Sequence, residues 1–367
     1  MHTVTFFPLG NADSCLIELV RGQKLLFDYA NVRNPDDSQD LRIDLAATLQ
    51  DRLGKQDSFD AVAFTHADDD HVHGASEFFH LEHAKKYQGT GRVKINELWV
   101  PAAFIVEEGL ENDARILQAE ARYRLRNGQG IRVFSRPDRL REWFAEANIP
   151  LADREHLITD AGQLIPGFTK SDQGVEFFVH SPFAERLDDE LVDRNDCSLV
   201  VQATFQSNYY ETRLILGADT TCDILADMVE VTKYHANEAR LAWDVFKLPH
   251  HCSYHSLSEE KGQDITEPIP EVKWLFEQGA RGGIIVSTSD PIPSRGDDTQ
   301  PPHRQAANYY RQVASKIKGE FKVTMEHPTP ANPAPLVIAI DDFGATIKKS
   351  IGAGSIAVTS VRAPRAG

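Results

Sequence analysis

The six residues His66-Ala67-Asp68-Asp69-Asp70-His71 stand directly after the apolar run Phe59-Asp60-Ala61-Val62-Ala63-Phe64. Such a run reads as a strand, which delivers side chains alternately to two faces, whereas a tight loop at its end can turn several toward one point. His66, Asp68, Asp70 and His71 are then four candidate metal ligands on one loop, because imidazole nitrogens and carboxylate oxygens suit zinc, manganese or iron. Three carboxylates crowded between imidazoles oppose one another's ionisation unless a cation is present. The plain alternative is a solvated acidic turn with incidental histidines. The rest of the chain argues against it.

At 367 residues, with 41% hydrophobic and 26% charged residues, the chain reads as a globular protein able to bury a large core. No apolar run approaches the roughly 20 residues that cross a bilayer. Met1-His2-Thr3-Val4-Thr5-Phe6-Phe7 reads as an immediate strand and not a signal peptide, so a cytoplasmic protein without a membrane partner is expected. Cys15, Cys197, Cys222 and Cys252 lie far apart, which indicates neither a disulfide scaffold nor a thiolate metal site. The net charge of −16 disfavours laying a broad face along duplex phosphates, since that affinity comes from Lys and Arg contacts. Against that background eight arginines lie between Arg115 and Arg141, Arg122 and Arg126 among them. They form either a solvated helical face or a flap that collects phosphates.

Apolar runs punctuated by turn residues predict antiparallel strands from Val4 to Phe27. Asp28 ends the third run; there it can hold a ligand histidine in place, or cap a turn. Leu41, Leu45, Leu49 and Leu53 recur every four residues, which predicts a helix before the metal-motif strand. Between Pro101 and Pro166 the pattern is mainly helical, and we expect an insertion over about 101–166 that caps the site. Strands are expected again at Val175–His180, Ser198–Phe205, Arg213–Gly217, Trp243–Leu248, Gly283–Ser287, Phe321–Met325 and Leu336–Ile340, with helices at about Ile224–Val231 and Ala306–Ile317. Residues 1–350 are expected to form one domain, and the Gly-, Ala- and Pro-rich residues 351–367 a loosely held tail.

Polar residues recur just past the strand ends: His66 to His71, His180, Asn195-Asp196, Asp219 and His250-His251. Loops at one edge of a sheet stack can converge. Two metal ions about 3.5–4 Å apart would polarise a bridging water and clamp the attacked and leaving oxygens of a phosphoester. Asp219 is the best candidate for a carboxylate between them.

These residues resemble the metallo-β-lactamase fold family, whose strand-end motif is His-x-His-x-Asp-His; here it stands as His66-x-Asp68-x-Asp70-His71. Aspartate in place of the second histidine is similar to the branch with the hydrolase domain of competence-type DNA-uptake channel proteins and the choline-phosphate esterases. The resemblance extends through Leu9-Gly10-Asn11-Ala12-Asp13-Ser14, Leu25-Leu26-Phe27-Asp28, Asn195-Asp196-Cys197-Ser198, Leu216-Gly217-Ala218-Asp219, Lys247-Leu248-Pro249-His250-His251-Cys252-Ser253 and Pro302-His303. It implies an α/β protein, a four-layer αββα sandwich with a dinuclear site at one edge. His66 and Asp68 would bind one ion, Asp70, His71 and His251 the other, and Asp219 both. The remaining ligand of the first ion is open between His180, Asn195 and Asp196. His250 would line the pocket and His303 touch substrate, while His73 and His255 are more simply structural. Cys252 stands where the branch has glycine.

The implied cofactors are two divalent ions, zinc first and manganese as the alternative. The implied activity is hydrolysis by a hydroxide generated at the dinuclear site, with Asp70 helping to orient it. Phosphoesters are the leading substrates, making the chain a nuclease or nucleotide phosphodiesterase, including in a bacterial defence setting. The expected partner is a phosphorylated substrate such as a nucleotide or single-stranded nucleic acid. The alternatives are a small-molecule ester or lactam hydrolase, since the same ligands serve those reactions, and a non-catalytic binding module.

Overall fold

The computed structural model describes residues 1–184, 194–295 and 299–348. Two sheets carry the chain. The first has the order β17 (Gly344–Ile347), β16 (Leu336–Asp341), β1 (His2–Phe6), β2 (Cys15–Glu18), β3 (Lys24–Phe27), β4 (Ser58–Ala63), β5 (Lys94–Pro101), β6 (Ile131–Phe134) and β7 (Ile158–Thr159). Pairing is antiparallel from β17 to β3 and parallel from β3 to β7. The second runs β13 (Glu320–Val323), β12 (Gly279–Ser287), β11 (Trp243–Lys247), β10 (Tyr210–Leu216), β9 (Val200–Ser207) and β8 (Val175–Ser181). It is parallel from β13 to β10 and antiparallel beyond. A two-stranded ribbon pairs β14 (Pro328–Thr329) with β15 (Asn332–Pro333).

The two-residue period of the strands assigns each side chain to a layer. Leu25 and Phe27 of β3 and Val245 of β11 enter a core shared by both sheets, with Phe6, Trp99, Phe177, Val201 and Ile338. Their neighbours Leu26 and Phe246 face outward. Leu26, Val62 and Val100 pack on helices α1 (Leu45–Leu53), α5 (Asn112–Asn127) and α6 (Asp138–Glu146) through Leu49, Leu117 and Leu140. On the other side Ile215, Phe246 and Ile285 pack on α7 (Cys222–Tyr234), α8 (Pro270–Glu277) and α9 (Arg304–Lys316) through Leu225, Leu275 and Val313. Short helices α2 (Asp69–Val72), α3 (Ala75–Phe78) and α4 (Ala102–Val106) complete the set used below. Helix, sheet, sheet, helix is the four-layer αββα sandwich that the resemblance implies.

The strands expected from the sequence are present with bounds shifted by a few residues. Helix α1 begins later than the leucine spacing suggested, because the Asp44 side chain accepts from the Ala47 N–H and caps it there. Leu41 is left outside and exposed. Residues 101–166 need correction as an insertion capping the site: they contribute β6 and β7 to the first sheet and bury α5 and α6 on its outer face. Residues 351–367 lie outside the described residues. Among the described residues no helix is long and apolar enough to cross a membrane, and the four cysteines are buried and form no disulfide.

Candidate metal centre

Parallel strands end at a common edge, and crevices outside their carboxyl ends are where loops can bring ligands together. Asp28 follows β3, His66 follows β4, Asp219 follows β10 and His251 follows β11, while Asp13 comes from the turn between β1 and β2. The delivering loops are held in rarely populated backbone. Asp28, Ala218, His250, His251 and Cys252 all have positive φ, between 47° and 67°, a conformation that persists only where the surroundings over-determine it. Cys252, at 67°, stands in the left-handed region, where a residue without Cβ is under less strain. Gly217 answers a different need, since a Cβ there would lie 2.9 Å from the Lys247 carbonyl oxygen.

Asp28 orients His71. One oxygen accepts from the Thr65 N–H (2.7 Å), the other from the Thr65 hydroxyl (2.8 Å) and from His71 Nδ1–H (2.9 Å). His71 therefore presents Nε2, 3.3 Å from Asp219 Oδ1 and 3.7 Å from Asp13 Oδ2. His251 is fixed likewise: Nδ1–H donates to the Thr288 carbonyl at 2.7 Å, and Nε2 lies 2.9 Å from Asp70 Oδ2 and 3.4 Å from Asp219 Oδ2. The His66 and His71 rings stand 3.9 Å apart. Among the described residues, Asp13, His71, Asp219 and His251 each bring a donor atom within 4.8 Å of the others, as do His66, Asp70 and His71.

Buried polar atoms normally find partners. Here His66 Nε2, His71 Nε2, Asp219 Oδ1 and Asp13 Oδ1 are buried without a hydrogen bond, and all four residues belong to these groups. Imidazoles turned by an outer carboxylate or carbonyl, with carboxylates opposite, form the donor set that divalent ions take. The residues fit such an ion. Because Asp28 sets the tautomer of His71, Asp28→Asn is expected to weaken zinc or manganese affinity roughly 10–100-fold. Chelator competition checks this, and unchanged affinity would remove the orienting role.

Burial alone would lower the pKa of His251, but Asp219 and Asp70 override it and raise the group to about 10. His71 is likewise raised, by Asp219, Asp28 and Asp70 against burial. Burial acts to raise Asp219, yet the two imidazoles hold it well below the ordinary carboxylate range. With no ion present, the protonated His251 contributes stability in full below its unfolded value near 6.5, and that contribution is lost as pH rises through about 10. Metal binding must displace this proton. Affinity is therefore expected to climb with pH toward 10, about tenfold per unit for each proton released, with proton release visible by calorimetry in buffers of different ionisation enthalpy. A flat pH dependence would contradict the geometry.

Lys247 was not singled out from the sequence. It is buried in the same cluster, ion-paired with Asp13, donating to the Ala218 carbonyl at 3.0 Å and lying 3.9 Å from Asp219. Asp13 too went unassigned; its signal was its place in the Asn11-Ala12-Asp13-Ser14 turn. Arg194 is the third such residue. Its Nη1 donates to Asp68 Oδ1 at 2.6 Å and its Nε to Glu107 Oε1 at 2.7 Å.

Other expected residues stand outside the two convergent groups. His180 does not join the cluster: it is buried, its Nε2 bonds the Arg240 carbonyl at 2.9 Å, and it lines a separate cavity with Phe183 and Met228. Asp68 lies beside His66, 3.5 Å from Nε2, but belongs to neither convergent group. Asn195 offers its carbonyl to the Ser198 N–H, and Asp196 accepts from Thr221. His250 neighbours His251 across 6.2 Å, and burial lowers its pKa. His303 is buried against Tyr254, and burial holds it down to about 4. His73 pairs with Asp69 at the surface, and His255 stacks on Tyr254.

The arginine stretch also needs correction. Arg122 donates to the Ile105 carbonyl, Arg126 covers the Trp143 ring, Arg124 ties Glu120 to the Ile95 and Gly130 carbonyls, and Arg136 pairs with Asp160. These contacts secure the outer helices. Charge reversal at Arg126, which is exposed, is accordingly expected to leave phosphoester KM unchanged in steady-state assays. A several-fold rise would restore the phosphate-collecting flap.

No protein-family model and no curated protein matches this chain. Solved structures do resemble it. Unliganded yeast PDE1 is 10% identical with a TM-score of 0.44, over 88% of this chain and 97% of that one. A diphosphatase from the PhnP family is 11% identical with a TM-score of 0.33, over 92% and 96%. A long-form RNase Z from yeast is 11% identical with a TM-score of 0.37, over 80% of this chain and 37% of that one. The likenesses are distant, and the chemistry is read from this chain's own residues.

Proposed function

We propose that this chain is a divalent-metal-dependent hydrolase of phosphoesters, a nucleotide phosphodiesterase or nuclease. The observation that carries the reading is the buried convergence of His71, Asp219, His251 and Asp13, with His71 Nε2 and Asp219 Oδ1 turned to each other and without a hydrogen bond. A bound divalent ion supplies a water of lowered pKa and neutralises charge on a phosphoryl oxygen. Zinc suits the imidazole-rich side, and the carboxylates leave manganese as the alternative. Asp70 is about one-third exposed and hydrogen-bonded to His251, so it stands on the open face, where it orients a nucleophile and accepts its proton. Arg194, also about one-third exposed, offers a planar cation at the rim, the geometry that suits phosphate oxygens.

The substrate class draws on these cations and on the motif resemblance, because the ligands alone also serve ester and lactam hydrolysis. Net charge of −16 favours nucleotides or single strands over broad duplex contact. The test is incubation with bis-p-nitrophenyl phosphate, single-stranded DNA and nitrocefin, with and without zinc or manganese. Metal-dependent cleavage of either phosphoester is expected. Turnover of nitrocefin alone would overturn the reading.

A further inference from the structure

We infer that the site holds one divalent ion and that Arg194 takes the place where a second would sit. The inference rests on the metal-dependent reading above and departs from the two ions that the motif resemblance implies. Three observations lead to it.

The two convergent donor groups share His71. Its Nδ1–H is committed to Asp28, which leaves the single lone pair of Nε2 to give. One lone pair cannot serve two ions, so an ion in one group takes His71 from the other and leaves it with at most three donors, or two on the His66 side.

The donors of a separate first seat are also engaged. Asp68 gives one oxygen to Arg194 at 2.6 Å, and His180 bonds the Arg240 carbonyl in another cavity. His66 keeps an inward-facing nitrogen, but the histidine beside it, His71, has only one nitrogen to give and is shared with the other group, whereas zinc sites use three or four protein ligands.

Finally, the cation is already present. Arg194 is clamped between Asp68 and Glu107, and Asp68 Oδ2 lies 3.5 Å from His66 Nε2. The guanidinium therefore brings fixed positive charge to the His66 side of the cluster. It also lines a cavity of about 290 Å³ with Asp69, Glu111 and Asn112. A second ion beside His66, bound through the other oxygen of Asp68, would meet that positive charge.

The experiment is metal counting on the full chain, stripped with chelator and reloaded with manganese, combined with the EPR signal of the bound ion. One equivalent per chain with an uncoupled signal is expected. Asp68→Ala should leave that equivalent in place, because Asp68 serves Arg194 and not the ion. Arg194→Ala should admit a second equivalent and produce a spin-coupled signal, while Arg194→Lys should stay at one. Thermal melts monitored by circular dichroism confirm that each variant is folded. Two coupled equivalents in the unaltered chain, or loss of metal in Asp68→Ala, would overturn the inference while leaving the metal-dependent reading intact. No manganese or zinc bound at all would overturn both. A folded Arg194→Ala chain that still takes one equivalent would remove Arg194 from the role.

Discussion

Asp219→Asn is expected to abolish metal-dependent phosphoester hydrolysis while leaving the chain folded. Asp219 is buried and faces both imidazoles, with one oxygen 3.3 Å from His71 and the other 3.4 Å from His251. Asparagine keeps the volume and removes the charge. Loss of a partner outside the ligand shell costs metal affinity roughly 10–100-fold, and removing the central carboxylate is expected to cost more. Without that charge the His71 and His251 pKa values fall, and Asp28 and Asp70 still face the two imidazoles, so neither is left as an uncompensated buried cation. Chelator competition, turnover and a thermal melt measured together test this. Wild-type turnover in a folded Asp219→Asn chain would remove Asp219 from the site.

Lys247→Met is expected to produce the largest loss of stability. Burial acts to lower the Lys247 pKa, but Asp13 and Asp219 overcome it and hold the ammonium charged. Both ends of the Lys247–Asp13 pair are nearly inaccessible, at 6% and 4% side-chain exposure. Removing one partner of a buried pair leaves an uncompensated charge and costs about 3–5 kcal/mol. Replacing both partners by neutral groups is often close to neutral, so Lys247→Met with Asp13→Asn should recover most of the loss. Urea unfolding of the metal-free single and double variants measures this. A loss below about 1 kcal/mol, the range of exposed pairs, would show that the pair is solvent-screened.

The convergent loops were legible because their residue types are rare in combination and each follows an apolar strand: His66 to His71 after β4, Asp219 after β10, His251 after β11. Lys247 was hidden by its setting. It shares the inward face of β11 with Val245 by the two-residue period, so a lysine there is a signal, but one that shows only once both faces of the strand are known to be covered. The arginines between Arg115 and Arg141 misled because local charge says nothing of carbonyls and rings brought alongside by distant strands. The helical pattern over 101–166 hid β6 and β7, at four and two residues too short to outweigh their flanking helices.

By itself the order of residues determined the layers and the loops, since a two-residue period and strand-end turns are properties of neighbouring positions. Which donors face one another was decided by the tertiary structure. Asp13 meets Lys247, Asp68 meets Arg194 and His180 turns away to Arg240, all contacts between residues far apart in the chain. Such contacts follow from how the two sheets and their loops pack, because the reach of a side chain is set in space and not along the backbone.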